Sequence, residues 1–236
     1  MTATGSVLSP LSGAVLVTGG ASGLGAAVAE MVAARGAVPV VLDRQQPKDG
    51  IAHIEVDLAD SLAARDAVER ASEMVGPPVA VVAAAGTDSC GRLDEIPFAD
   101  WAHVIAVNLV GTAAVVRASL PALRSQRGRV VTVASTLGLR ALSDATAYCA
   151  SKFGVVGFTR ALAAETAGEV GVTLLIPGGM STNFFDGRPE RYRPGPKAVL
   201  DDPAHVADAV GFALGQPFGC EVREMVVCAS TESSWP

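Results

Sequence analysis

Basic residues are scattered along these 236 residues, and the net charge is −6. A nucleic-acid surface needs a concentrated basic face, so no nucleic-acid partner is expected. The four cysteines, Cys90, Cys149, Cys220 and Cys228, form no CxxC pair and have no histidine-rich neighbourhood. That spacing argues against a zinc site or a disulfide framework; reduced thiols in a cytoplasmic protein and no metal are expected. Met1 to Ser12 has no basic stretch leading into an apolar run, so no signal peptide is expected there. The most membrane-like window, Val104 to Leu123, is interrupted by Asn108, Arg117 and Pro121. It reads as a buried helix rather than a span, and no membrane partner is expected. Internal repeats and low-complexity tracts are also absent.

What is present is apolar and alternating. Half of the residues are hydrophobic, enough for a sizeable core in one large α/β domain covering residues 1–236. Strand-like runs at Ala14–Val17, Val38–Leu42, His53–Val56, Val79–Val82, Arg129–Val133, Val172–Ile176 and Val222–Cys228 alternate with helical stretches. The helices are expected at Gly23–Ala34, Leu62–Met74, Asp100–Leu123, Ala147–Ala167 and Pro203–Leu214, the third broken near Asn108 to Gly111. Asp60 or Ser61 is placed to cap the second helix, and Asp201 or Asp202 the last. Strands two to six are almost wholly apolar, as strands covered on both faces are. The expected architecture is α/β: a single Rossmann-like doubly wound domain, with a seven-stranded, mainly parallel sheet and helices on both faces. Thr182 to Leu200, rich in Gly, Pro, Arg and aromatics, is too long for a plain connection and reads as a functional loop.

The first strand runs directly into Thr18-Gly19-Gly20-Ala21-Ser22-Gly23-Leu24-Gly25, and this turn opens a helix. Glycines there let backbone amides approach a pyrophosphate at the helix N-terminus. The spacing is GxxxGxG rather than the commoner GxGxxG, so the strand–turn–helix context carries the reading. Asp43 closes strand two, about twenty residues further on, where a carboxylate accepts from ribose hydroxyls and repels a 2′-phosphate. With neutral Ser22 in the turn, NAD is favoured over NADP; Arg44 keeps NADP open, because it can swing toward a phosphate. Asp57-Leu58 follows strand three, where the aspartate can accept from an adenine amino group or cap the next helix. Ala83-Ala84-Ala85-Gly86 follows strand four, and its small residues let a cofactor lie against the backbone.

Tyr148 and Lys152 are four residues apart, one helical turn, and share a face. A nearby ammonium is expected to lower a phenol that titrates near 10, making it an acid or base at an alcohol oxygen. Ser135 lies thirteen residues before Tyr148, with Thr136 as its rival. Taken in order, TGxxxGxG at Thr18 to Gly25, Asp43, Asp57, the motif ending in Gly86, Asn108, Ser135, the YxxxK of Tyr148 to Lys152, and Pro177-Gly178 with Thr182 resemble the short-chain dehydrogenase/reductase family over nearly the whole chain.

The resemblance implies hydride transfer between NAD(H) and a secondary alcohol or ketone, with Asn108, Ser135, Tyr148 and Lys152 as the catalytic group. Ser135 would hydrogen-bond the substrate oxygen, and Lys152 would also hold the nicotinamide ribose. Asn108, at the expected helix break, would fix a water in a proton relay through an exposed carbonyl. Pro177 and Gly178 would bend beneath the nicotinamide, and Thr182 would touch its amide or the phosphates. The implied cofactor-binding set is Gly19, Ser22, Gly23, Leu24, Gly25, Asp43, Arg44, Asp57, Leu58, Ala84, Ala85, Gly86, Tyr148, Lys152, Pro177, Gly178 and Thr182.

Two departures from the family stand out. Asn usually precedes the Ala-Gly after strand four; here it is replaced, and the side-chain bonds that steady the central sheet should be lost. The chain also ends Ser233-Ser234-Trp235-Pro236, without the family's frequent Asp/Gly-Gly ending. Substrate choice is expected from the Thr182–Leu200 loop and from Leu137, Gly138 and Leu142. In that loop Phe184, Phe185 and Tyr192 offer an apolar wall and Arg188, Arg191 and Arg193 positive charge, unless the rings pack on the body and the arginines are solvated. Alternative readings are an NADPH-dependent 3-oxoacyl-thioester reductase and a non-catalytic cofactor-binding regulator. Ala-rich faces on the Asp100–Leu123 and Ala147–Ala167 helices point to a homotetramer or homodimer.

Overall fold

The computed structural model describes residues 11–235. Residues 1–10, which carry most of the expectation about a leader, and Pro236 lie outside the described residues. Seven strands form one sheet in the order β3-β2-β1-β4-β5-β6-β7. They are β1 (Ala14–Thr18), β2 (Val38–Asp43), β3 (Ala52–Glu55), β4 (Pro78–Ala83), β5 (Arg129–Val133), β6 (Gly171–Pro177) and β7 (Glu224–Val227). Every neighbouring pair is parallel, so the sheet is all-parallel rather than mainly so. The edge strand β7 is shorter than its apolar run, because its register with β6 ends where Val227 meets Pro177.

The period-two pattern of the strands divides the core into two layers. Val15, Val17, Val82, Val131 and Leu175 face α1 (Gly23–Ala34) and α6 (Pro203–Leu214). Leu16, Leu42, Val81, Val130 and Val172 face the opposite side. There they meet α2 (Ser61–Val75), α4 (Thr112–Gln126) and α5 (Thr146–Glu165). Asp60 caps α2 by accepting from the amides of Leu62 and Ala63, and Asp202 caps α6 by accepting from Ala204. These bonds settle which aspartate serves each helix.

The expected helix break is absent. α3 (Phe98–Ile105) passes through a π-turn at Ala106–Gly111 into α4, giving one continuous rod. The widened turn brings Gly111 against the Leu58 carbonyl, where any β-carbon would collide. By length and composition the rod is apolar enough to cross a membrane. It nevertheless lies on the sheet, with Val115, Val116 and Leu123 buried in the core.

Strand order reverses between β1 and β4. At such a switch point the connections leave in opposite directions and open a crevice at the carboxyl ends of the strands. A cleft of about 1040 Å³ occupies that place.

Candidate active site

The turn after β1 is built from glycines where side chains would collide with the backbone. Gly19 (φ +69°) and Gly23 (φ +53°) hold left-handed conformations that favour glycine. A β-carbon on Gly19 would meet the Ala85 Cα at 2.7 Å, and one on Gly25 would collide with the Gly19 carbonyl. The turn therefore lies tight between β4 and α1, and α1 begins with neither a side-chain cap nor an acidic residue in its first turn. An uncapped helix start with glycine walls is a cradle for an anion, and it suits the pyrophosphate of a dinucleotide. Thr182, whose own hydroxyl accepts from the Phe184 amide, stands over Gly23.

At one side of the cradle, Asp43 is held rigidly at the rim. Its Oδ2 accepts from the Ala21 amide at 3.0 Å, and its Oδ1 accepts from the Gln45 amide at 3.0 Å. Arg44 reaches out to Asp57 at 3.8 Å, both side chains being exposed. Asp57 accepts from the Ala59 amide at 2.9 Å, closing its own turn rather than capping α2. The missing asparagine after β4 is partly replaced: the Thr18 hydroxyl accepts from the Ala85 amide at 3.0 Å and ties β1 to the end of β4.

At the other side, α5 presents Tyr148 and Lys152 to the cleft. Lys152 is 3% exposed; its Nζ donates to the Val133 carbonyl at 2.8 Å and lies 5.6 Å from the centre of the Tyr148 ring. Ser135, at the end of β5, turns the chain by accepting from the Leu137 amide at 3.1 Å. Burial of the phenol raises Tyr148 to about 12, against which the Ser135 hydroxyl pulls it down. Burial likewise lowers Lys152 to about 8. The expectation that the ammonium would pull the phenol down is therefore corrected. Both groups are desolvated, which penalises each charged form, and burial is the largest cause of each shift.

Of the expected catalytic group, Asn108 alone does not line the cleft. It is 1% exposed and sits behind Gly86. Its Nδ2 donates to the Thr87 carbonyl and the Ser151 hydroxyl, and its Oδ1 accepts from the Thr87 amide at 2.8 Å. Its carbonyl, expected to be exposed, accepts from the Thr112 hydroxyl at 2.9 Å. A helix that widens instead of breaking keeps that carbonyl inside the rod. The rest of the expected cofactor-binding set lines the cleft, including Leu24, Leu58, Ala84, Pro177 and Gly178.

The loop at 182–200 folds back over the site through two short 3₁₀ turns. Phe184 packs against Tyr148 with ring centres 5.6 Å apart. Arg188 lies over Phe184 and Phe185 and pairs with Asp88 at 2.7 Å. Tyr192 donates to Asp144 at 3.0 Å, Arg193 bonds the carbonyls of Asp186 and Arg188, and Arg191 lies over the Tyr192 ring. The loop residues thus divide: Phe184, Phe185 and Arg188 line the cleft, while Tyr192 and Arg193 fasten the loop.

Two contributors escaped the sequence reading. One is Asp88, the partner of Arg188. The other is the carboxyl-terminal segment, which crosses the cleft near Ser135. Glu232 Oε2 accepts from the Gly179 amide at 2.8 Å, the Thr136 and Ser234 hydroxyls are 2.7 Å apart, and Arg140 donates to the Ser233 carbonyl at 3.0 Å.

Comparison with known proteins agrees with this arrangement. The family model for short chain dehydrogenases matches residues 13–193. A 3-oxoacyl-(acyl-carrier-protein) reductase, MabA, of Mycobacterium tuberculosis is 34% identical over 219 residues, covering 87% of each chain. The (3R)-3-hydroxyacyl-CoA dehydrogenase of Homo sapiens is 31% identical over 237 residues, covering 88% of this chain and 90% of that one. The solved structure of an alcohol dehydrogenase from Thermococcus sibiricus, complexed with 5-hydroxy-NADP, superposes with a TM-score of 0.82. At 23% identity, over 92% of this chain and 96% of that one, it shares the fold. The chain belongs to the short-chain dehydrogenase/reductase family and is an oxidoreductase of that family.

Proposed function

We propose that the protein transfers a hydride between NAD(H) and a secondary alcohol or ketone. The observation that carries this is one cleft holding both a bare glycine cradle and the Ser135–Tyr148–Lys152 group. When bound, the nicotinamide supplies or takes the hydride. In the reductive direction Tyr148 gives its phenolic proton to the carbonyl oxygen, and Ser135 holds that oxygen as charge develops on it. Lys152 supports the phenolate left behind. Asn108 is a positioning residue: it clamps Thr87, beside Gly86, to Ser151 on α5. Asp43 receives the adenosine ribose, its fixed carboxylate favouring NAD; Arg44 and Asp57 stand beside it at the rim.

A second reading is favoured by the names of the relatives. Both relatives reported above act on 3-oxoacyl or 3-hydroxyacyl thioesters, and Phe184 and Phe185 offer this chain an apolar wall for an acyl group. The substrate of this chain is then a 3-oxoacyl thioester, with NADPH as reductant. The exposed apolar side chains of Val110 and Phe153 support the expected association of copies.

A panel of secondary alcohols, ketones and 3-oxoacyl thioesters, followed at the reduced-nicotinamide absorbance with both cofactors, separates the two. The pH profile has a definite sign. With Tyr148 raised to about 12, its proton is in place at neutral pH, so ketone reduction is expected to be flat there. Alcohol oxidation needs the phenolate and is expected to rise with pH, less steeply above about 8, where Lys152 loses its charge. An oxidation rate that falls as pH rises from neutrality contradicts Tyr148 as the base.

A further inference from the structure

Among the described residues lining the cleft, the carboxylates are Asp43, Asp57 and Glu232. The first two follow the glycine turn's side of the sheet, at the ends of β2 and β3. Glu232 is tied to the Ser135 end of the cleft through Ser234, which bonds both Glu232 and the Thr136 hydroxyl, while Asp88, paired with Arg188, is the carboxylate whose charge reaches Tyr148. The place of Glu232 is fixed from two directions. Its Oε2 accepts from the Gly179 amide, close enough to Gly178 that a β-carbon there would come within 2.6 Å. Its Oε1 accepts from the Ser234 amide at 3.0 Å and the Ser234 hydroxyl at 2.8 Å. Because Ser234 spends its hydroxyl proton on Glu232, the Thr136 hydroxyl donates to Ser234 at 2.7 Å. A chain of hydrogen bonds thus runs from the residue next to Ser135 to the residue after Gly178, with the carboxylate in its middle.

Burial alone would raise Glu232, but the amides of Gly179, Ser233 and Ser234 and the Ser234 hydroxyl outweigh it and hold the group below the usual range. The charge is therefore present at neutral pH. Resting on the dinucleotide reading above, we infer that Glu232 sets the balance between the oxidised and reduced cofactor, favouring the positively charged nicotinamide of NAD⁺ over the neutral ring of NADH. The physical basis is charge: a fixed anion lining the cleft attracts one ring and not the other. Lys152 carries the opposite sign in the same part of the cleft, so the balance without Glu232 would lean toward NADH.

Glu232→Gln is the informative change. The amide oxygen still accepts from Gly179, and the amide nitrogen in place of Oε1 loses the bond from the Ser234 amide but can donate to the Ser234 hydroxyl, so the segment keeps part of its fastening while the charge is lost. Equilibrium titration of the full chain with NAD⁺ and with NADH, without substrate, is expected to show NAD⁺ weakened about tenfold relative to NADH. Glu232→Asp keeps the charge and should retain most of the wild-type ratio. If Glu232→Gln loses its cooperative thermal unfolding, full-length Glu232→Ala, which removes the charge without setting an amide nitrogen against the Ser234 amide, serves in its place and should shift the ratio the same way. An unchanged NAD⁺/NADH ratio in a folded variant overturns this role alone and leaves Glu232 a fastener. Failure of the wild-type chain to bind either dinucleotide overturns both this role and the cofactor reading.

Discussion

Tyr148→Phe is expected to lower kcat by about a thousandfold while dinucleotide affinity stays near wild type. The ring is retained, so its packing on Phe184 and its position beside Lys152 persist. What is lost is the one phenolic proton facing the cleft. Stability should fall by about 1 kcal/mol or less, because the hydrogen bond between the phenol and the Ser135 hydroxyl is lost. Steady-state kinetics paired with an equilibrium NADH titration reads both quantities. Turnover that survives the change would remove Tyr148 from the chemistry. Turnover absent from wild type and variant alike, with cofactor bound in both, would favour the non-catalytic regulator.

Asp43→Ser is expected to move the kcat/KM ratio of NADH over NADPH about a hundredfold toward NADPH. A hydrogen bond to a charged group is worth about 1.5–3 kcal/mol, so NADH should lose about tenfold or more. Removing the carboxylate lifts its repulsion of a 2′-phosphate, and Arg44, only loosely paired with Asp57 at 3.8 Å, is free to meet that phosphate. Serine keeps an acceptor for one of the two amides that now hold Asp43, so the turn should survive. The wild-type ratio matters as much as the shift: a strong native preference for NADPH would assign Asp43 to bracing the turn and favour the thioester reductase.

The sheet was legible because β2, β4, β5 and β6 are buried on both faces and read as almost wholly apolar runs between helical stretches. The cradle was legible because its glycines fall within one short stretch, Gly19 to Gly25. The π-turn was not. Ala106-Val107-Asn108-Leu109-Val110-Gly111 contains no proline, and the approach of Gly111 to the Leu58 carbonyl joins residues far apart in the chain. The raised phenol and lowered ammonium were also hidden, since spacing shows that Tyr148 and Lys152 are neighbours but not that both are desolvated. Asp88 was invisible because its pairing with Arg188 requires the 182–200 loop to fold back over the site. Glu232 belongs to a polar segment with no periodicity. Only its bonds to Gly179 and Ser234 reveal that it faces the cleft.

The most direct measurement is a crystal structure of the chain grown with NAD⁺ and a secondary alcohol. The expected result is a dinucleotide with its adenosine ribose on Asp43, its pyrophosphate on the Gly19–Gly25 turn, and the alcohol oxygen bonded to both Ser135 and Tyr148. A dinucleotide bound with its nicotinamide turned away from Tyr148 and Lys152, or none bound at saturating supply, would contradict the account.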